Sequence, residues 1–254
     1  MTDYKSIFIS DVHLGTRGCQ ADALREFLKN NSCDRLYLVG DIIDGWRLKK
    51  RNYWPQSHSD VVRQFLTHAK NGTKVYYIVG NHDEFLRKWL SWRLRFGRIR
   101  IINSHDHVGV NGKKYLVIHG DQFDGLMVDK FKWIMHAGDI AYQFLIWFNT
   151  KFNKVRGWLG LEYWSLSKFL KKNTKKAIHY IDNFEDNLAG YALKKGYNGV
   201  ICGHIHSAEM RVINDVEYIN TGDWVESCTA ILEHHGTGMF ELLDMSSSVN
   251  KKKK

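Results

Sequence analysis

Five short aliphatic runs, each broken off by a polar motif, constrain this chain more than anything else in it. The runs cover residues 7–9, 36–39, 75–79, 115–118 and 200–202. β-Branched and aromatic residues dominate them, and their length suits strands buried on both faces. The motifs that follow are, in order, Ser10-Asp11-Val12-His13, Gly40-Asp41, Gly80-Asn81-His82-Asp83, His119-Gly120-Asp121 and Gly203-His204-Ile205-His206. Between the runs lie helical patterns. Residues 22–30 carry Ala23, Leu24, Phe27 and Leu28 at helical spacing, and residues 60–70 carry Val61, Val62, Phe65, Leu66 and Ala69. Alternation of strand and helix predicts an α/β sandwich. Loops at the carboxyl ends of neighbouring strands converge in such sheets, so the polar motifs are expected to meet at one edge.

After His206 the rhythm changes. Residues 210–213, 216–219, 228–232 and 239–243 are short runs separated by turn residues, and predict antiparallel strands with tight turns. Asn111-Gly112 predicts a further hairpin between residues 108–110 and 115–118. One domain is expected over residues 1–245, followed by a disordered basic tail, 246–254, that ends in four lysines.

Charge says what the chain meets. Lys and Arg number 37 against 27 acids, a formal charge of +10, which expects an anionic partner: nucleic acid, a phosphate ester or an acidic membrane. Cys19, Cys33, Cys202 and Cys228 form no CxxC pair and read as reduced thiols of a cytoplasmic protein. No secretory signal is expected at residues 1–5. The longest apolar stretch, 140–148, is about half of the roughly 18–20 residues that a spanning helix needs. The expectation is a soluble protein, or a peripheral one on the cytoplasmic face of the inner membrane.

The motifs hold seven candidate metal ligands: Asp11, His13, Asp41, Asn81, His119, His204 and His206. Oxygen and nitrogen donors without thiolate suit Mn²⁺, Fe²⁺ or Zn²⁺ better than a structural zinc site. Seven ligands are too many for one ion, and two ions sharing a carboxylate fit, with Asp41 the natural bridge. Such a pair activates water and stabilises charge on phosphate oxygens. A protonated His82 beside it would add a third positive contact and a proton for the leaving oxygen. A lone Asp-x-His is commonplace, and a lone buried histidine is usually a hydrogen-bonded core residue. Five such motifs at successive strand exits are different, because burying these groups unpaired costs several kcal/mol each.

The order D-x-H, GD, GNHD, HGD and GHxH resembles the calcineurin-like metallophosphoesterase superfamily, over residues 5–245. The resemblance implies a four-layer α/β/β/α sandwich. It assigns Asp11, His13, Asp41 and His206 to one ion, and Asp41, Asn81, His119 and His204 to the other. It makes His82 the catalytic histidine, supported by Asp11. Gly40-Asp41-Ile42-Ile43-Asp44, His119-Gly120-Asp121 and a long insertion after them resemble the UDP-2,3-diacylglucosamine pyrophosphatase branch. Members release UMP from a diacylated UDP-sugar in lipid A synthesis, commonly with Mn²⁺. The best-known members carry Arg where this chain has His82, a departure that bears on the substrate and not on the metals.

The insertion, residues 125–180, carries ten Lys/Arg against three acids, with aromatics interleaved. Residues 166–181 carry an apolar set (Leu166, Phe169, Leu170, Ala177, Ile178, Ile181), with Lys168, Lys172 and Lys175 on another face. A helical lid with one apolar side and a lysine row suits a ligand with acyl chains and phosphates. The resemblance implies the same lid, and places Asn81, His82, Lys168, Lys172, Lys175 and His204 against the substrate. Peripheral contact with a membrane surface is a further expectation. The competing readings are a nuclease or nucleotide phosphodiesterase, since basic aromatic stripes also track single strands, and a non-catalytic scaffold.

Overall fold

A computed structural model describes residues 2–92, 95–123, 158 and 175–246. In chain order its elements are β1 (Thr2–Ile9), α1 (Ala21–Asn30), β2 (Asn31–Val39), α2 (Gly45–Lys50), α3 (Gln56–Lys70), β3 (Lys74–Ile78), β4 (Arg95–Phe96), β5 (Ile99–Ile102), β6 (Ser104–Val108), β7 (Lys114–Ile118), α4 (Lys175–Lys194), β8 (Gly199–Cys202), β9 (Glu209–Ile213), β10 (Val216–Asn220), β11 (Thr229–Glu233) and β12 (Phe240–Asp244). A 3₁₀ segment, Glu84–Trp92, follows the loop after β3, and a shorter one, Asp121–Phe123, follows β7. The expected insertion, with Lys168 and Lys172, lies outside the described residues, as does all of the tail beyond Ser246; Lys175 is the first residue of α4.

The strands form two sheets, ordered β12-β11-β1-β2-β3-β5-β4 and β6-β7-β8-β10-β9. Their faces explain why the aliphatic runs do not alternate with polar residues. On β1, Ile7 and Ile9 join Leu24, Phe27, Leu28, Val61 and Phe65 of α1 and α3, while Phe8 points the other way, into the second sheet. Phe8, Tyr37 and Tyr76 stack in a row across β1, β2 and β3, with centroids 4.6 and 4.8 Å apart. Against them lie Tyr115, Val117, Ile201 and Ile219 of the second sheet. Its far face is covered by Phe184, Leu188, Ala189 and Ala192 of α4. The layers are therefore α/β/β/α, with burial on both faces of each sheet. Each fully buried Leu or Phe contributes about 1.5–3 kcal/mol.

The four C-terminal strands form the expected antiparallel pairs, β9 with β10 and β11 with β12, but the two pairs belong to different sheets. β10 pairs antiparallel with β9 but parallel with β8, whereas β11 and β12 join the other sheet, β11 running antiparallel to β1. The chain crosses between sheets at residues 221–228, where the wholly buried Trp224 packs on Phe27. α4 begins within the expected insertion and runs on to Lys194, and its later half forms the fourth layer.

β1, β2 and β3 are mutually parallel, and so are β7 and β8. The carboxyl ends of both groups lie at one end of the sandwich.

Candidate metal centre

Every candidate ligand leaves a strand within four residues of its end. Asp11 and His13 follow β1, Asp41 follows β2, Asn81 follows β3, His119 follows β7, and His204 and His206 follow β8. The backbone is forced to turn sharply there. Asp11, His13, Asp41, His204 and His206 all have positive φ, between 51° and 72°; only Asn214, Asp215 and Cys228 share that region among the other described non-glycine residues. Strain of this kind costs of order 1–3 kcal/mol per residue and persists where surrounding structure enforces it. Enforcement is visible. The Asp11 and His13 amides donate to the Gly40 and Asp41 carbonyls at 3.1 and 2.9 Å, and Trp224 N–H donates to the Asp11 carbonyl at 3.0 Å. Gly40, Gly80 and Gly203 leave no room for a Cβ, which would collide with His119, Asp41 and Asp11 respectively.

The side chains meet in three overlapping groups: Asp11, His13 and His206; His13, Asp41 and His82; Asp41, His119 and His204. His206 Nε2 lies 3.2 Å and His13 Nε2 3.9 Å from Asp11 Oδ1. That oxygen is buried and accepts no hydrogen bond, while its twin, Oδ2, accepts from Ser10 Oγ and His204 N–H. On the other side, His119 Nε2 lies 3.3 Å from both Asp41 Oδ2 and Asn81 Oδ1. Its Nδ1–H donates to the Val39 carbonyl at 2.9 Å. A neutral His119 therefore turns a bare nitrogen lone pair toward two oxygens, which is repulsive unless a cation stands among them. The donor set fits divalent ions on that ground, and on the orphaned Asp11 oxygen.

Protonation states report the same demand. Burial depresses the basicity of His119 and His13, yet facing carboxylates reverse this: Asp41 lifts His119 well above the usual histidine range, and Asp44, then Asp41, lift His13. Burial likewise pushes Asp11, Asp41 and Asp44 up, and the histidines hold all three below the normal carboxylate range. The carboxylates thus favour positive charge at these imidazoles, the same positive charge that a bound metal would supply.

The Asp44 carboxylate is a residue the ligand list missed. Its Oδ2 lies 3.1 Å from His13 Nδ1 and 3.1 Å from His82 Nδ1, and its Oδ1 caps α2 by accepting from Arg47 N–H at 2.8 Å. The His82 contact is close but out of line for a good hydrogen bond. The structure places Asp44, rather than Asp11, beside His82. His82 Nε2 faces Asp41 Oδ2 at 4.0 Å, and its amide donates to Asp41 Oδ1 at 2.8 Å. The signal for Asp44 was its position three residues after Asp41, opening a helix. Asp83 is a second omission. It is fully buried, accepts from Gly80 N–H, Ile42 N–H and Tyr77 O–H, and so ties the loop after β3 to the loop after β2. Burial, then Asp41, push its carboxyl up to about 6.

The sequence profile of the calcineurin-like phosphoesterases matches residues 4–208, most of the chain and every motif described above. The chain belongs to the calcineurin-like phosphoesterase family. Members are hydrolases that use divalent metals, and the Asp/His groups here are of the kind that holds them. Among curated relatives, a UDP-2,3-diacylglucosamine hydrolase of Aliivibrio fischeri strain MJ11 is 27% identical over 240 residues, covering 90% of this chain and 93% of that protein. One from Psychromonas ingrahamii is 27% identical, covering 87% and 89%. One from Neisseria meningitidis serogroup B is 25% identical, covering 91% and 94%. No helix among the described residues of this phosphoesterase is long and apolar enough to cross a membrane.

Proposed function

We propose that this chain is a dinuclear phosphoesterase that cleaves UDP-2,3-diacylglucosamine into UMP and 2,3-diacylglucosamine 1-phosphate, a step of lipid A synthesis. The observation that carries the two-ion reading is the pair of ligand groups, Asp11/His13/His206 and Asp41/His119/His204, set side by side with Asp41 between His119 and His82. Asp11, His13, Asp41 and His206 are assigned to one ion, and Asp41, Asn81, His119 and His204 to the other, with Mn²⁺ the expected metal. When bound, the ions supply Lewis acidity that activates water and offsets charge on the phosphorus oxygens.

The chain's own groups do the rest. Asp44 orients His13 and His82 from one carboxylate. His82 Nε2 faces into the site, where it donates a hydrogen bond to a phosphate oxygen and a proton to the leaving oxygen. Asn81 and His204 hold the remaining phosphate oxygens. Lys168, Lys172 and Lys175 are assigned to the diphosphate, and the aromatics of the insertion to the acyl chains. Substrate identity rests on the three relatives, of which this chain covers 93%, 89% and 94%. The net charge of +10 suits a substrate at an anionic membrane surface, approached from the cytoplasm.

The test is an assay of purified, Mn²⁺-loaded protein on UDP-2,3-diacylglucosamine. UMP release is expected. Hydrolysis of single-stranded nucleic acid with no turnover of the UDP-sugar would replace this reading with a nuclease.

A further inference from the structure

Nothing in metal chemistry asks for a tryptophan beside the catalytic histidine, yet Trp46 covers one. Its ring lies 4.2 Å from that of His82, tilted by 36°. The indole N–H donates to Glu84 Oε1 at 3.3 Å, which tethers the ring from outside. The two segments are also joined through the backbone. Gly45 N–H, one residue before Trp46, donates to the His82 carbonyl at 2.9 Å, and a Cβ at Gly45 would strike that carbonyl and the Phe85 ring.

His82 is thus confined on three sides. Trp46 lies over one ring face, the His13 ring meets it nearly perpendicularly at 4.6 Å, and Asp44 stands 3.1 Å from Nδ1. The Asp44 contact is out of line, so it does not set the plane of the imidazole alone. The His82 side chain is still 20% exposed. An imidazole with that freedom rocks about χ2, and only part of the range keeps Nε2 toward Asp41. The tilted indole, 4.2 Å away, stands in the path of that rocking.

We propose that Trp46 is a positioning residue, whose tethered indole fixes the ring plane of His82 so that Nε2 points at the leaving oxygen. This rests on the reading of His82 as proton donor. A donor matters most when the leaving group is a poor one. The signature is therefore a loss that grows with leaving-group basicity, which mere loosening of the fold would not produce.

The experiment compares Trp46→Ala, Trp46→Phe and His82→Ala in the metal-loaded full chain, on a nitrophenyl and an alkyl phosphodiester, with metal content measured alongside. Trp46→Ala is expected to slow the alkyl ester about tenfold more than the nitrophenyl ester. Trp46→Phe should restore most of that difference, and bound metal should match the wild type. An independent readout, taken on the diamagnetic Zn²⁺-loaded protein, is the ring-proton NMR resonance of His82, shifted by the indole ring current. It should move in Trp46→Ala and move less in Trp46→Phe. Equal losses on the two esters, or an unmoved resonance, would overturn the proposal. His82→Ala tells the two failures apart. If it discriminates between the esters while Trp46→Ala does not, the positioning role falls and the proton-donor reading stands. If His82→Ala itself slows both equally, both fall.

Discussion

Asp41 concentrates the demands on the site into one carboxylate. It faces His119 at 3.3 Å and His82 at 4.0 Å, accepts the His82 amide, and sits against Gly80, where a Cβ would collide with it. Asp41→Ala removes a donor from both proposed ions. It should therefore abolish metal-dependent turnover and lower bound metal toward zero, as read by elemental analysis of the dialysed protein; full activity would rule out the bridging role. His82→Ala makes the contrasting case. His82 is not in the ligand set, so metal content should stay near that of the wild type while kcat for the UDP-sugar falls ~10²-fold or more. A matching loss of metal would mean that His82 ligates. The middle group, in which His82 approaches His13 and Asp41, makes that a real contest.

At the level of elements, the strand exits are stiff because helices far from the chemistry hold them. His58 in α3 is buried, and its Nδ1 accepts the Gly15 N–H at 3.0 Å, two residues beyond His13. Burial lowers its basicity, which keeps the ring neutral and the acceptor available. His58→Ala would strand the Gly15 N–H, at a cost of about 1–3 kcal/mol. Denaturant unfolding should show that loss, and metal titration should show weaker binding. His58→Asn, which can still accept, should recover part of both. The sequence pattern for α3 began at Asp60 and gave no hint of this contact, because the first turn, Gln56–Ser59, carries no apolar stripe. Convergence of the motifs was legible, since each follows a buried strand directly and parallel strands deliver their ends to one edge. The second half of α4 was not: the apolar set was traced only over residues 166–181, although Leu188 and Ala189 pack fully against the second sheet. Nor could turn chemistry tell that β11 returns to the first sheet. That choice is made by Trp224 filling the core under α1 and by β11 pairing along β1.

For the molecule as a whole, the site exists only where the two sheets stay docked, since Asp11, Asp41 and Asn81 come from one and His119, His204 and His206 from the other. Away from the candidate metal centre, the docking surface is aromatic and partly polar. On β6, His107 and Glu233 of β11 form a wholly buried pair at 3.0 Å, and His105 packs on Tyr76 at 4.1 Å, with the Tyr37 hydroxyl 3.3 Å from its Nδ1. Burial, then the neighbouring His107, push His105 down to about 4. An unfolded histidine titrates near 6.5. The folded state thus refuses a proton that the unfolded chain accepts between these values. The stability carried by neutral His105 is complete above about pH 6.5 and drains away as pH falls toward 4. Discounted for partial exposure, the term is about 1–2 kcal/mol at pH 5. His105→Gln keeps a polar group at the seam and cannot titrate. Its denaturant-derived stability should therefore fall less between pH 7.5 and pH 5 than that of the wild type, by about that amount. Parallel losses in the two proteins would mean that acid opens the sandwich elsewhere, with the buried His107–Glu233 pair the next place to look.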